Sequence, residues 1–123
     1  MTFEEVGAML DEIAEELPED FYKELNGGVN LLPDVRMHPD SKGDDLYIMG
    51  EYHLEGRGLG RYINIYYGSF AAVYSYLPPV RQKEELRRIL VHEFTHHLES
   101  LAGERELEVK DEINLNKYRY RRK

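Results

Sequence analysis

Residues 90–100 read LVHEFTHHLES, and the spacing of the histidines in this stretch decides what the rest of the chain must build. At about 100° per residue, His92 and His96 fall about 40° apart around a helix and about one turn apart along it. Two imidazoles so placed can chelate one ion if the stretch is helical. The surrounding pattern predicts a helix from about residue 80 to residue 102, with Leu86, Leu90, Phe94, Leu98 and Leu101 as one apolar stripe. Gly103 stands where a C-terminal cap is expected.

Glu93 follows His92 directly and projects between the histidine pair and the apolar stripe. Zinc accepts neutral imidazole nitrogen and, in catalytic sites, keeps a position open for water, whose pKa it lowers to about 7. A carboxylate on that flank can take the proton as a general base and deliver it to a leaving amine, a task that explains glutamate at position 93. A chance HExxH in a chain of this length occurs in well under ~1% of cases at average composition. Its place in the middle of a helix gives the spacing its meaning.

The other histidines read differently. His97 points about 100° away from His96 and toward the apolar stripe, where an imidazole is more often a hydrogen-bonded core residue than a ligand. His38 in MHPD and His53 in EYHLE stand alone near expected strand ends and are assigned to structure or surface.

Two histidines rarely hold zinc alone. The chain has no cysteine, so thiolate sites and disulfides are excluded, any metal is held by imidazole and carboxylate, and the third ligand is sought among the carboxylates downstream in GERELEVKDE at 103–112. On a continuing helix Glu104 would lie about 12 Å beyond His96, too far to share an ion. If Gly103 ends the helix and the chain doubles back, three to five residues at about 3.3 Å each bring it level with the pair. Asp111 and Glu108 then come into range. Asp111 is preferred, although it also stands where it would cap the amphipathic stretch that follows.

At 123 residues, 41% hydrophobic and 33% charged, the chain is expected to form one soluble globular domain over 1–123. Its net charge of -8 argues against nucleic acid as a partner, since such binding relies on clustered Lys and Arg. The basic C-terminal YRYRRK is the exception, and a solvated helix end accounts for it. The acidic N-terminus lacks the basic region and unbroken apolar run of a signal peptide, and no stretch is long enough to span a bilayer. No membrane partner is expected, and the cytoplasm is the expected setting.

Before the histidine stretch, TFEEVGAMLDEIAEEL at 2–17 predicts an amphipathic helix, with Thr2 placed to cap and Glu5 three residues later. LPEDFYKEL begins a short second helix after Pro18, and NGG at 26–28 stops it. Residues 29–36 read as a strand that Pro33 pushes to an edge or a bulge. The aromatic and branched runs 44–54 and 60–70 predict two further strands, paired or neighbouring across EGRGLG. Helical periodicity returns from SFAAVYSYL, and Pro78 and Pro79 break it.

With ILVHEFTHH in place, the chain resembles the small zincin-like metallopeptidases described as a minimal zincin fold. GRYINIYYGSF is similar to that family's strand and glycine turn, and FEEVGAMLDEIAEELPEDF to its N-terminal helix ending in Leu-Pro. The resemblance implies an α+β fold, a single small domain with a short mixed sheet of about three strands packed against helices. It implies His92 and His96 as zinc ligands and Glu93 as the catalytic glutamate. The chain departs from the family downstream, where Glu99 stands in place of a glycine before the third ligand.

The function expected is that of a zinc-dependent peptidase acting through metal-activated water on a peptide or protein substrate. In zincins an extended substrate pairs with an edge strand above the metal helix, and YINIYYG at 62–68 is the expected edge. Tyr66 or Tyr67 would offer a phenol to the oxyanion, although packing is the commoner use of a tyrosine. The alternative function is a metal-stapled binding or regulatory module without turnover.

Overall fold

Helix α1 spans Phe3–Glu16 and begins in a complete capping box: Thr2 Oγ1 accepts from Glu5 N at 3.1 Å while Glu5 Oε1 accepts from Thr2 N at 2.8 Å. In a computed structural model, residues 1–40, 46–55 and 60–109 are described, with side chains of the final helix as far as Glu104. The buried face of α1 carries Val6, Met9, Leu10 and Ile13, the spacing of three and four that its sequence shows.

The segment after Pro18 forms a 3-10 turn at Glu19–Tyr22 rather than an α-helix. The Tyr22 hydroxyl donates to Ala14 O at 2.6 Å, and the Phe21 and Tyr22 rings pack on Phe94 with centroids 5.5 and 4.9 Å away. Side-chain packing thus ties this turn to two helices over four residues, a length that favours the tighter helix. Gly28 then takes a φ of 69°, in the left-handed region that suits glycine, and turns the chain into the sheet.

Strand β1 is Val29–Leu32, β2 is Gly50–Leu54 and β3 is Arg61–Tyr66. Their order is β1-β3-β2, with β1 parallel to β3 and β2 antiparallel to it. β1 stops before Pro33 and lies at an edge, as a proline there requires. Residues 67–70, expected to continue a strand, instead open helix α2 at Tyr67–Tyr74. The cause is tertiary. A Cβ built on Gly68 would lie 2.6 Å from Val35 Cγ2 and 2.7 Å from Asp34 O, so only glycine lets the 34–36 loop close over the start of α2. Ser69, fully buried, locks that loop by accepting from Arg36 N at 2.8 Å and donating to Arg36 O at 3.1 Å.

Helix α3 spans Pro79–Val109, with proline at the first helical position, where its missing N–H costs nothing. It packs against β2, β3 and α1. Ile63 and Ile65 of β3, Phe70 of α2 and Leu86, Leu90 and Phe94 of α3 are wholly buried in one core with the apolar face of α1. On the outside, Lys83 reaches Glu12 at 3.0 Å and Arg87 pairs with Glu16, whose carboxyl this hydrogen bond holds below the usual range. Such exposed pairs orient α1 along α3 more than they stabilise it. The architecture is α+β, a small mixed sheet against helices. No helix among the described residues is long and apolar enough to cross a membrane.

Candidate metal centre

The middle of α3 presents His92 and His96 as the helical spacing requires. Their Nε2 atoms face each other at 3.2 Å, with ring centroids 4.7 Å apart and planes at 83°. A tetrahedral ion with Zn–N bonds of 2.0–2.1 Å separates neighbouring donor atoms by about 3.3–3.4 Å, so the two nitrogens fit one zinc ion with almost no adjustment. His92 is exposed and His96 buried.

Glu93 is 6% exposed and lies on the β2 side of α3. A Cβ built on Gly50 would sit 3.3 Å from Glu93 Cγ, which brings edge strand and helix into close approach at that point. Together His92, Glu93 and His96 line a cleft of about 520 Å³ whose opposite wall is formed by Gly50, Glu51 and Tyr52 of β2. The cleft unites residues some forty positions apart in the sequence.

Several expectations are corrected here. β3, which contains most of 62–68, is the central strand and pairs on both sides, so the edge above the histidines is β2. The sequence hid this, because a buried central strand and an edge strand of similar composition differ only in their neighbours. The Tyr66 hydroxyl donates to Glu51 Oε1 at 2.7 Å and the Tyr67 hydroxyl to Met1 O at 2.6 Å, which places both phenols in packing roles. Burial, and then the bond to Glu51, push the Tyr66 phenol above its usual range.

Gly103 does not end α3, which runs on to Val109. The turn that would have brought Glu108 back is not made, and position 108 lies about 18 Å beyond His96 along the axis. The continuing helix outweighs one glycine, whose cost in a helix interior is only about 1 kcal/mol. Glu104 is paired with Arg61 at 2.8 Å. Asp111 lies outside the described residues. Among the described residues no group of three histidines or carboxylates could hold a metal ion.

His97 is wholly buried, as its angle on the helix predicts. Its Nε2 lies 2.8 Å from Lys23 O and its Nδ1 2.8 Å from the Tyr52 hydroxyl. Burial pushes this imidazole below its usual pKa. His38 bonds locally, its Nδ1 accepting from Asp40 N at 3.0 Å. His53, expected in a structural or surface role, lines the cleft, 3.2 Å from Glu51 Oε1 and stacked on Tyr62 at 4.8 Å. No periodicity links residues 51–53 to 92–96, so only the fold could reveal that neighbourhood.

No protein-family model and no curated protein matches the chain. Among solved structures it is similar to a conserved hypothetical protein from Thermo thermophilus, at 35% identity and a TM-score of 0.73, over 84% of this chain and 99% of that one. The match takes in almost the whole of that protein, and the chain belongs to the same family as the Thermo thermophilus protein.

Proposed function

We propose that the protein is a zinc-dependent peptidase of the zincin kind, with His92 and His96 holding the ion and Glu93 as general base. The observation that carries this reading is the 3.2 Å separation of the two Nε2 atoms on the wall of a cleft that also holds Glu93. The resemblance of ILVHEFTHH to small zincin-like metallopeptidases supports it. Asp111, expected from the sequence as third ligand, lies outside the described residues, and the return of the chain at Gly103 on which that expectation rested is not made.

A bound zinc ion would polarise a peptide carbonyl and lower the pKa of water it holds to about 7. The chain supplies the rest. Glu93, largely screened from bulk water, accepts a proton from the attacking water and delivers it to the departing amine. Among the described residues β2 pairs with β3 on one side alone, and its outer edge would give an extended peptide a row of backbone donors and acceptors across from the histidines. We place the enzyme in the cytoplasm, where a fold that uses no cysteine loses nothing to reducing conditions. Recovery only outside the cell or with membranes would refute that placement.

The test separates binding from chemistry. Zinc added to metal-free protein should raise its melting temperature, and a peptide library should be cut. Glu93→Gln should keep the thermal shift and lose about 10²-fold or more of the hydrolysis. Undiminished hydrolysis by Glu93→Gln would remove the general-base role. Zinc binding without cleavage of any peptide by the wild type would leave the stapled module as the function.

A further inference from the structure

Among the contacts between the walls of the cleft, two are close or directional. The first is the close approach of Gly50 to Glu93. The second is polar: the Tyr52 hydroxyl of β2 against His97 Nδ1 of α3 at 2.8 Å. The proton positions in this second contact follow from its neighbours. His97 Nε2 faces the Lys23 carbonyl, which can only accept, so Nε2 carries the ring proton. Nδ1 of the neutral ring is then an acceptor, and the Tyr52 hydroxyl donates to it. Arg61 Nη1 donates to the same phenol oxygen at 2.9 Å, which leaves the phenol proton one direction to point.

Arg61 is itself fastened to α3, through Ser100 Oγ at 2.5 Å and Glu104 at 2.8 Å. His97 is 0%, Arg61 5% and Tyr52 6% exposed, so these three bonded residues lie in the interior, and the chain of bonds reaches solvent at Glu104. Apolar packing alone lets a helix rotate by a small amount at little cost, whereas directional hydrogen bonds in a low-dielectric interior resist it. The rotation they resist is that of the segment carrying His96, the residue next to His97. His96 is the buried member of the pair and lines the cleft together with β2, so it lies where a rotation of α3 against β2 would move its ring.

We propose that Tyr52 and His97 are positioning residues of the metal centre, their buried hydrogen bond holding α3 at the rotation that aims His96 and Glu93 into the cleft. The inference rests on the zinc reading of His92 and His96.

The experiment measures the zinc Kd of the folded, metal-free full chain at pH 7 by competition with a chromophoric chelator, with stability followed separately by denaturant unfolding. Tyr52→Phe and His97→Leu should weaken zinc binding about tenfold or more, while His97→Gln, which keeps a donor for Lys23 and an acceptor for Tyr52, stays within about threefold. Ile13→Val, a core change on α1 at a residue that takes no part in the hydrogen bonds, should lower stability and leave the zinc Kd unchanged. If His97→Leu does not fold, Tyr52→Phe carries the test. Wild-type zinc affinity in Tyr52→Phe, or an equal loss in Ile13→Val, would overturn the positioning role and leave the metal site standing. A wild-type chain that binds no zinc would overturn both.

Discussion

Gly50 of the edge strand stands so close to Glu93 of the long helix that a Cβ at position 50 would lie 3.3 Å from Glu93 Cγ, with Ile65 Cδ1 at 3.0 Å and Asn64 O at 3.2 Å. The absent side chain is therefore what allows one wall of the cleft to meet the other. Gly50→Ala should force β2 outward, lowering stability by about 1–3 kcal/mol. Hydrolysis should fall further than that loss of folded protein explains. Denaturant unfolding and peptide cleavage on the same sample check this, and an alanine variant of wild-type activity would show that the approach is incidental.

His92→Ala and His96→Ala should each abolish the zinc-induced rise in melting temperature while leaving the metal-free fold intact, because the core of Ile63, Ile65, Leu86, Leu90 and Phe94 does not depend on them. Circular dichroism of the metal-free variants distinguishes the two functions considered. Unfolding of either variant would favour a metal staple, since a stapled domain draws its folding free energy from the ion.

The stability of the metal-free protein should depend on pH through His97. Its folded-state pKa lies below the usual 6.5, so its contribution is fully present above about pH 6.5 and is lost as pH falls, when the unfolded chain binds the extra proton. One such proton gives a slope of at most about 1.4 kcal/mol per pH unit. Unfolding curves between pH 7.5 and 5 on the wild type and His97→Gln check it: their slopes against pH should differ below about pH 6.5 and become equal above neutrality. Parallel curves throughout would remove His97 as the cause.

Gly68→Ala should destabilise the fold by about 1–3 kcal/mol, because the new methyl meets the backbone of Asp34 as well as Val35 Cγ2 and backbone cannot step aside as a side-chain tip can. The damage lies at the loop against α2, away from the histidines, so the zinc Kd of the folded fraction should not change. Chemical unfolding together with a zinc titration tests both halves, and a stability equal to wild type would mean that the 34–36 loop shifts freely.

Much of the arrangement is legible without coordinates. The capping box at Thr2 and Glu5, the edge position of the strand before Pro33, and the inward turn of His97 all follow from local chemistry and helical angle. The misreadings share one cause. Tyr67–Phe70 reads as strand because aromatic residues favour it, but packing against Asp34 and Val35 makes it helix. Gly103 reads as a stop, yet α3 runs through it.

By itself the sequence determined the facing histidine pair, because one turn of helix brings His92 and His96 together whatever the rest of the chain does. Only the tertiary structure decided what faces them. That β2 and not β3 is the edge across the cleft, and that Tyr52 and Arg61 bind the sheet to α3 beside the histidines, depends on strand order and helix rotation. Those are properties of contacts between distant segments, on which the period of a local stretch carries no information.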